Sequence, residues 1–450
     1  MRLGRRRVLM ADVRFSADGK GIAYGQLLIR IERVLRFGQV MGVAVFFVAP
    51  VTSINAAVFH LQSEDVEIVP PASWRARWLK CVWFAAAPFR LGAPWLWLQR
   101  TVARGWDRVY GFVERTPRLP RAVRRFVLRP GPLARRLRAA NAAYASRSSM
   151  LWKQTFKQHA GRRLKEAERA GIEMPLRLTL PPERERAAVE LASQLGIRLA
   201  APLVTPLATR LVTLHVRESG YRATAGLRQR SWDVIRNARI ETYADACRAL
   251  VERGYTVVRI GDRTMTPIRQ AGVVDLATSP ARTEWLELWC IQRSEFLIGC
   301  DSGPSWLASL LEVPILTVNA IHLRDLARVR DRVVCKLARD TASGVLLSTS
   351  EMLTDGYLRE GLTTGRYDHL DNSPADIRQA VVDMIDVVHG REVLSAAQQR
   401  FNERLGELGR DGTAGPGALE GIAIRHRPRG TLARSFADRY FETPPGAGGA

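Results

Sequence analysis

Residues 296–319 read FLIGCDSGPSWLASLLEVPILTVN, and this stretch sets the fold class. Phe296 to Cys300 is a short apolar run bounded by turn residues, as expected of a strand buried on both faces. Asp301-Ser302-Gly303 ends it, and Pro304 suits the first turn of a helix, where its missing N–H costs nothing. The helix PSWLASLL follows, then a second apolar run, ILTVN. Strand, helix and strand in so few residues form a parallel crossover unit.

The same alternation continues upstream. LVTLHV (211–216) reads as a strand with polar and basic residues crowding its carboxyl end. In IETYADACRALVERG, Tyr243, Ala246, Cys247, Leu250 and Val251 recur at helical spacing, and Gly254 closes the helix. YTVVRIG is the next strand, and Ser279-Pro280 suggests a cap for the helix holding WLELWCIQR. Downstream, a helix begins at Ser373-Pro374 and runs through IRQAVVDMIDVV. From Asp411 the chain turns Gly/Pro-rich and reads as loose, with one amphipathic piece, ARSFADRYF.

The first 71 residues form a smaller unit of the same kind. RVLMADVRF, GVAVFFVAP and VEIVP read as strands, with helices at GKGIAYGQLLIRIERVLRFG and SINAAVFHLQ. Asp12 and Arg14 interrupt the first apolar run, which argues for a strand and against a signal peptide. ERERAAVELASQLG is a helix closed by Gly196. The expected organisation is therefore an N-terminal half (1–71), an insert (72–165), a return to that domain (166–201), a second α/β domain (202–390) and a terminal helix and tail (391–450).

The insert differs in composition. Residues 72–165 hold 22 Lys/Arg against Asp107 and Glu114, so +20 of the chain's +24 lies there, together with seven of the eleven tryptophans. Such a charge calls for an anionic partner. In SWRARWLKCVWFAAAPF, Trp74, Trp78, Cys81, Val82 and Ala85 share a helical stripe with Arg75, Arg77 and Lys80 on its flanks, the pattern of an interfacial helix. Nucleic acid and a solvated basic face are the alternatives, although no RNA- or DNA-binding motif accompanies the charge. Pro88, Arg90 and Pro94 make the apolar window 81–99 a poor transmembrane helix. The five cysteines form no paired motif, which points to a reducing compartment without disulfides or zinc.

Three places could carry chemistry. At Asp301-Ser302-Gly303 the free N–H groups of a helix start and its dipole would make a diphosphate seat, with Ser302 adding a hydroxyl and Asp301 accepting from a sugar or ribose hydroxyl. The plainer alternative is a capped β–α turn. At the end of LVTLHV, alternation places His215 and Arg217 on one side of the strand, beyond which ligands of open α/β sheets bind. Arg217 can fork onto phosphate oxygens and His215 can donate to phosphate or take a proton; a structural ion-pair cluster is the alternative. Glu218 and Tyr221 follow, and Arg236, Asn237 and Arg239 precede the next helix. Arg259 ends a strand and needs a partner, either an internal carboxylate or a phosphate. Asn319 ends the ILTVN strand. In the first unit, Lys20 is the charged residue of the Gly19–Gly25 turn. No carboxylate or histidine cluster has metal-ligand spacing, so arginines and a helix start would stand in for a divalent cation.

The turn at Asp301 resembles the DSGPxHLA turn of heptosyltransferases and related GT-B glycosyltransferases, with Trp306 where those enzymes usually carry His. HVR resembles the diphosphate-binding strand end of GDP-fucose-dependent transferases. VTLHVRESGYR, RNARIETY, GYTVVRIGD, DLATS, TEWLELW and FLIGCDSG, in this order, resemble a family of bacterial glycosyltransferases of the GT-B type with no assigned donor or product; STSEML and ARSFADRYFE extend the likeness. The resemblance implies two Rossmann-like domains; it hardly touches the basic, Trp-rich helical insert in the first, which is read from composition. It also implies a nucleotide-sugar donor on the second domain, used as substrate with no further cofactor. The acceptor would be a surface glycan or lipid-linked molecule, and the composition of the insert, not the resemblance, puts the meeting at the cytoplasmic face of an anionic membrane. His215 and Arg217 would be catalytic; Arg217, Arg259, Asp301, Ser302, Gly303 and Asn319 would hold the donor, with Glu218, Tyr221, Asn237, Arg239 and Lys20 nearby. The rivals are a GT-B-like transferase of another group, such as pyruvyl, and a non-enzymatic basic membrane- or nucleic-acid-binding protein.

Overall fold

Apolar strand runs joined by amphipathic helices build parallel sheets in both parts of the molecule. The computed structural model of the chain describes residues 2–3, 6–12, 24–48, 56–70, 73–75, 77–79, 175–197, 210–221, 231–321, 328–354, 357, 365–410 and 430–444. It divides into two compact units, Met1–Thr179 and Leu180–Ala450.

In the first unit, β1 (Arg2–Leu3) pairs antiparallel with β2 (Arg6–Asp12), and β2 pairs parallel with β3 (Ala44–Val48) across α1 (Tyr24–Met41). Leu28, Ile31, Val34 and Leu35 of α1 and Val45 and Phe46 of β3 are buried. The expected strand VEIVP shrinks to one bridge, Ile68 parallel to Val45. β4 (Gln62–Ser63) instead pairs with β5 (Leu178–Thr179). Of the insert, the described residues are 73–75 and 77–79, of which 74–75 and 77–79 are helical. Leu79 is wholly buried there, Arg75 pairs with Glu67 at 2.9 Å, and Trp74 and Trp78 are 73% and 46% exposed. The rest of the insert lies outside the described residues.

The second unit opens with α2 (Pro182–Gln194), which the sequence reading assigned to the first domain. It packs on a later helix of this unit instead: Arg184 lies 5.2 Å over the Trp285 ring, and Glu185 pairs with Arg293. Seven parallel strands follow: β6 (Arg210–Leu214), β7 (Tyr255–Arg259), β8 (Val273–Asp275), β9 (Phe296–Gly299), β10 (Ile315–Ala320), β11 (Arg332–Cys335) and, after a short antiparallel hairpin of β12 (Leu337–Asp340) and β13 (Tyr367–Leu370), β14 (Thr431–Leu432). Their order is β14-β11-β10-β9-β6-β7-β8. The chain thus winds outward from β6 through β7 to β8, returns to the other side of β6 as β9, and winds outward again. The reversal between β6 and β9 is the topological switch point, beyond whose carboxyl ends ligands of such sheets bind.

Helices cover this sheet, which is why its central strands are apolar on both faces. They are α3 (Ser231–Ile235), α4 (Ala244–Val251), α5 (Glu284–Arg293), α6 (Gly303–Leu310), α7 (Pro374–Val388), α8 (Ala396–Arg410) and α9 (Arg434–Tyr440). The core joins Leu214, Val216, Ile298, Leu316 and Val318 to Tyr243, Leu250, Met384 and Phe401. Gly254 ends the α4 segment at φ +82, a conformation glycine adopts without penalty. Two details depart from expectation. Thr283, not Ser279, caps α5, its hydroxyl accepting from Leu286 N at 3.1 Å. The C-terminal segment read as a helix and loose tail supplies both an edge strand, β14, and the packed helix α9, whose Phe436 and Ala437 are buried.

Candidate functional site

The HVR and CDSG segments leave neighbouring strands side by side. His215 N donates to Ile298 O at 2.8 Å, extending the β6–β9 ladder past its last named residue, and Arg217 N donates to Cys300 Sγ at 3.0 Å. The two strongest signals in the sequence therefore flank the switch point. On the β9 side, α6 starts at Gly303 directly beneath the turn, with Pro304 in its first turn and Ser302 extended at φ −146°. Ser305 Oγ donates to Cys300 O at 2.9 Å. Gly299 permits this closure, because a Cβ there would lie 2.6 Å from Ser305 Oγ and 2.7 Å from Leu297 Cδ2.

Within the turn, Ser302 is buried, does not cap the helix, and its Oγ has no hydrogen-bond partner among the described residues. A buried hydroxyl without a partner is uncommon. Asp301 differs from its expected role. It is wholly buried, and its Oδ2 accepts from Ile321 N at 3.0 Å, which ties β9 to the exit of β10 rather than presenting a carboxylate to a sugar.

Opposite the turn lies a cluster of arginines around one carboxylate. Asp233, 1% exposed in its side chain, receives Arg217 Nη2 at 3.2 Å and Arg236 Nη1 at 3.5 Å. Arg217 Nη1 also donates to Asp233 O and Asn237 Oδ1, each at 2.6 Å. Arg236 Nη2 donates to the Asp301 carbonyl, so this guanidinium bridges the cluster to the turn. The Arg217 and Arg236 side chains are 11% and 12% exposed, against 1% for Asp233. Asn237 O accepts from buried Lys336 Nζ at 2.8 Å, and Lys336 pairs with Asp371 at 2.6 Å.

His215 sits at the floor of this region. Burial, with the nearby Arg259 and Arg217 charges adding to it, lowers its pKa to about 4 against the pull of the Ile260 carbonyl, so the ring is neutral at pH 7. Nδ1 lies 3.2 Å from Ile260 O; as the donor in that contact it leaves the lone pair on Nε2. A phosphate-binding imidazolium does not fit this environment, whereas a hydrogen-bond acceptor does.

Arg259 follows the internal alternative. It is wholly buried, with Nη2 2.8 Å from Glu218 Oε1 and Nη1 3.3 Å from Asp275 Oδ2, and it also donates to Thr266 O. Glu218 is in turn held by Thr266 N and Oγ1 at 2.8 and 2.9 Å. Both residues brace the loop after β7 rather than face a donor. Asn319 is likewise structural. Wholly buried at φ +55, it exchanges bonds with Asn372 (2.8 and 2.7 Å) and donates to Tyr243 Oη at 3.0 Å. Tyr221 follows Gly220 in a helical turn, Arg239 is exposed, and Lys20 lies outside the described residues.

The structure thus brings together His215, Arg217, Asn237, Ser302 and Gly303, and sets Arg259, Glu218 and Asn319 apart. Asp233 is a site residue that sequence reasoning missed, and Arg236 one that it undervalued. An i,i+3 pair of Asp233 with Arg236, the first residue of RNARIETY, was the available signal.

No protein-family model matches the chain, and no curated protein matches it. Among solved structures, it is similar to the glycosyl transferase family 9 from Veillonella parvula DSM 2008 at 10% identity, over 70% of this chain and 81% of that one, with a TM-score of 0.30. It is also similar to E. coli ADP-heptose lps heptosyltransferase II at 12% identity, over 69% and 84%, with a TM-score of 0.31.

Proposed function

We propose that this chain is a glycosyltransferase that moves a sugar from a nucleotide-sugar donor to a glycan or lipid-linked acceptor. A doubly wound sheet hosts many chemistries, so the reading rests on the site. One observation carries it: forked guanidiniums and the start of a helix meet across the switch point between β6 and β9. Both are groups that hold phosphate oxygens. In this reading the donor diphosphate lies between Arg217 and the N–H groups after Ser302. The bond from the sugar anomeric carbon to the diphosphate breaks as the bond to the acceptor oxygen forms. Arg217 stabilises the negative charge that develops on the departing diphosphate. Neutral His215 orients the acceptor hydroxyl by accepting its hydrogen bond at Nε2, and the hydroxyl proton leaves to water as the new bond forms.

Guanidiniums and backbone amides fill the charge-neutralising role in this mechanism, so transfer is expected to survive EDTA. The basic, Trp-rich segment 72–165 would hold the enzyme on the anionic cytoplasmic face of a membrane. The exposed Trp74 and Trp78 and the many arginines support this, each basic residue near such a surface contributing about 1 kcal/mol. Among the described residues no helix is long and apolar enough to cross a membrane. Reversing the charge of the segment's arginines should release the protein from anionic vesicles and leave nucleotide binding intact. Vesicles ignored at low salt, with single-stranded nucleic acid bound instead, would contradict the membrane assignment.

A thermal-shift panel of UDP, GDP, CMP, TDP and ADP compounds tests the donor site. Ligand binding raises stability by RT ln(1 + [L]/Kd), so one base should stand out. Stabilisation by none of them would remove the reading.

A further inference from the structure

We infer that Lys336 is a positioning residue: through Asn237 it sets the fork of Arg217, and so couples the β12–β13 hairpin to the switch point. The inference deepens the proposed function and rests on it only for the reaction that Arg217 serves. Lys336 follows β11 directly, with its side chain 4% exposed. Its Nζ donates to the Asn237 carbonyl at 2.8 Å and pairs with Asp371 Oδ1 at 2.6 Å. Lys336 precedes β12 and Asp371 follows β13, so their pair closes the neck of the hairpin. Asn237 is the next link, its Oδ1 accepting from Arg217 Nη1 at 2.6 Å. The backbone repeats that connection, since Ala238 N donates to Arg217 O at 3.1 Å. One chain of contacts therefore runs from the hairpin neck to the end of β6.

The base of this chain is fixed. Asn372 Nδ2 donates to Cys335 O at 2.6 Å, and Asn372 exchanges bonds with Asn319 at the end of β10. The far end is less regular, because Asn237 to Arg239 belong to no helix or strand. The placement of Asn237 therefore depends on contacts such as the one from Lys336. A buried amine gives up hydration that only hydrogen bonds return, whereas a methionine of similar length would fill the space without that loss. What the amine adds here is its hold on a carbonyl and a carboxylate from two other segments. Asp233 engages the same guanidinium of Arg217 from α3, and Asn237 engages it on behalf of the sheet. Aim matters in such a group, since a misplacement of about 1 Å can cost on the order of a hundredfold in rate.

Lys336→Met removes the head group and keeps the stem. Phenylglyoxal modification of the full-length protein, read arginine by arginine with peptide mass spectrometry, tests the link without any turnover. Arg217 should react about fivefold faster or more in Lys336→Met than in the wild type, because a released guanidinium opens more often. Exposed Arg263 should react at an unchanged rate. Sugar transfer at equal folded fraction should fall roughly tenfold or more, in turnover rather than in KM. In an Arg217→Lys background the same substitution should cost less than about twofold, since a residue that acts through Arg217 has nothing left to position. A merely structural lysine would lower both backgrounds by the same factor. Asp371→Asn loosens the Lys336 anchor and should quicken Arg217 modification about twofold or more, which keeps the test decisive where Lys336→Met does not fold. An unchanged Arg217 rate in either folded variant, or equal proportional losses of transfer in the two backgrounds, overturns the inference. A wild-type protein that transfers no sugar removes the proposed function instead, and the modification rates then decide alone whether Lys336 sets the Arg217 fork.

Discussion

Arg217 and Arg259 leave the carboxyl ends of adjacent strands in one sheet, yet their surroundings assign them different work. Arg259 is wholly buried between Glu218 and Asp275 and bonds a carbonyl of the loop that it braces. Arg217 shares one carboxylate with a second arginine and keeps part of its surface open beside a helix start. Residue type is alike, and burial differs, the Arg217 side chain being 11% exposed and that of Arg259 fully buried. A guanidinium met by two internal carboxylates is a structural element; the proposed function gives the diphosphate to Arg217 instead.

The largest expected effect lies on the structural side of this contrast. Arg259→Leu strands Glu218 and Asp275 with no cation between them. Breaking a buried pair by removing one partner costs about 3–5 kcal/mol. Denaturant unfolding should show a loss of that size, and a loss under 1 kcal/mol would erase the distinction. On the functional side, Arg217→Lys keeps the charge and loses the fork. Turnover should fall on the order of a hundredfold or more, about 3 kcal/mol of transition-state stabilisation, with a smaller change in nucleotide affinity.

His215 gives the next effect, read through pH. Its unfolded pKa is the ordinary 6.5 and its folded pKa about 4, so between those values the unfolded chain binds the extra proton. Its contribution is present in full above about pH 6.5 and is lost as pH falls toward 4. At pH 5 the loss is about 2 kcal/mol relative to pH 7. His215→Gln, which cannot charge, should flatten that part of the stability profile; an equally steep profile would place the titrating group elsewhere. The smallest effect concerns a third arginine near the site. Arg239 is exposed, and Arg239→Ala should change stability by no more than about 0.5 kcal/mol, as surface substitutions usually do. A marked loss of turnover there would move the site boundary outward.

Much of the second unit was legible because its signals are local. Period and composition mark β6, β7, β9 and β10, and the proline-led starts of α6 and α7 carry their own chemistry. The switch point was not legible, since strand order is a long-range property, yet it is what turns HVR and CDSG from two motifs into one site. The choice between the two partners of Arg259, and the bonds of Asn319, were illegible for the same reason. Glu218, Asp275 and Asn372, which engage them, lie 41, 16 and 53 residues away. β14 escaped notice because two residues, Thr431–Leu432, after a Gly/Pro-rich stretch carry no period. Asp233 was missed because nothing local in SWDVIRN marks it as buried.

The central claim is that a nucleotide-sugar diphosphate departs from the switch point between β6 and β9. Release of nucleoside diphosphate from a panel of nucleotide sugars, measured in EDTA for the wild type and for Arg217→Lys at equal folded fraction, tests it most directly. The account predicts release from one donor type, indifferent to chelator and reduced on the order of a hundredfold in the variant. Release that requires manganese, or that proceeds equally fast in Arg217→Lys, would contradict it.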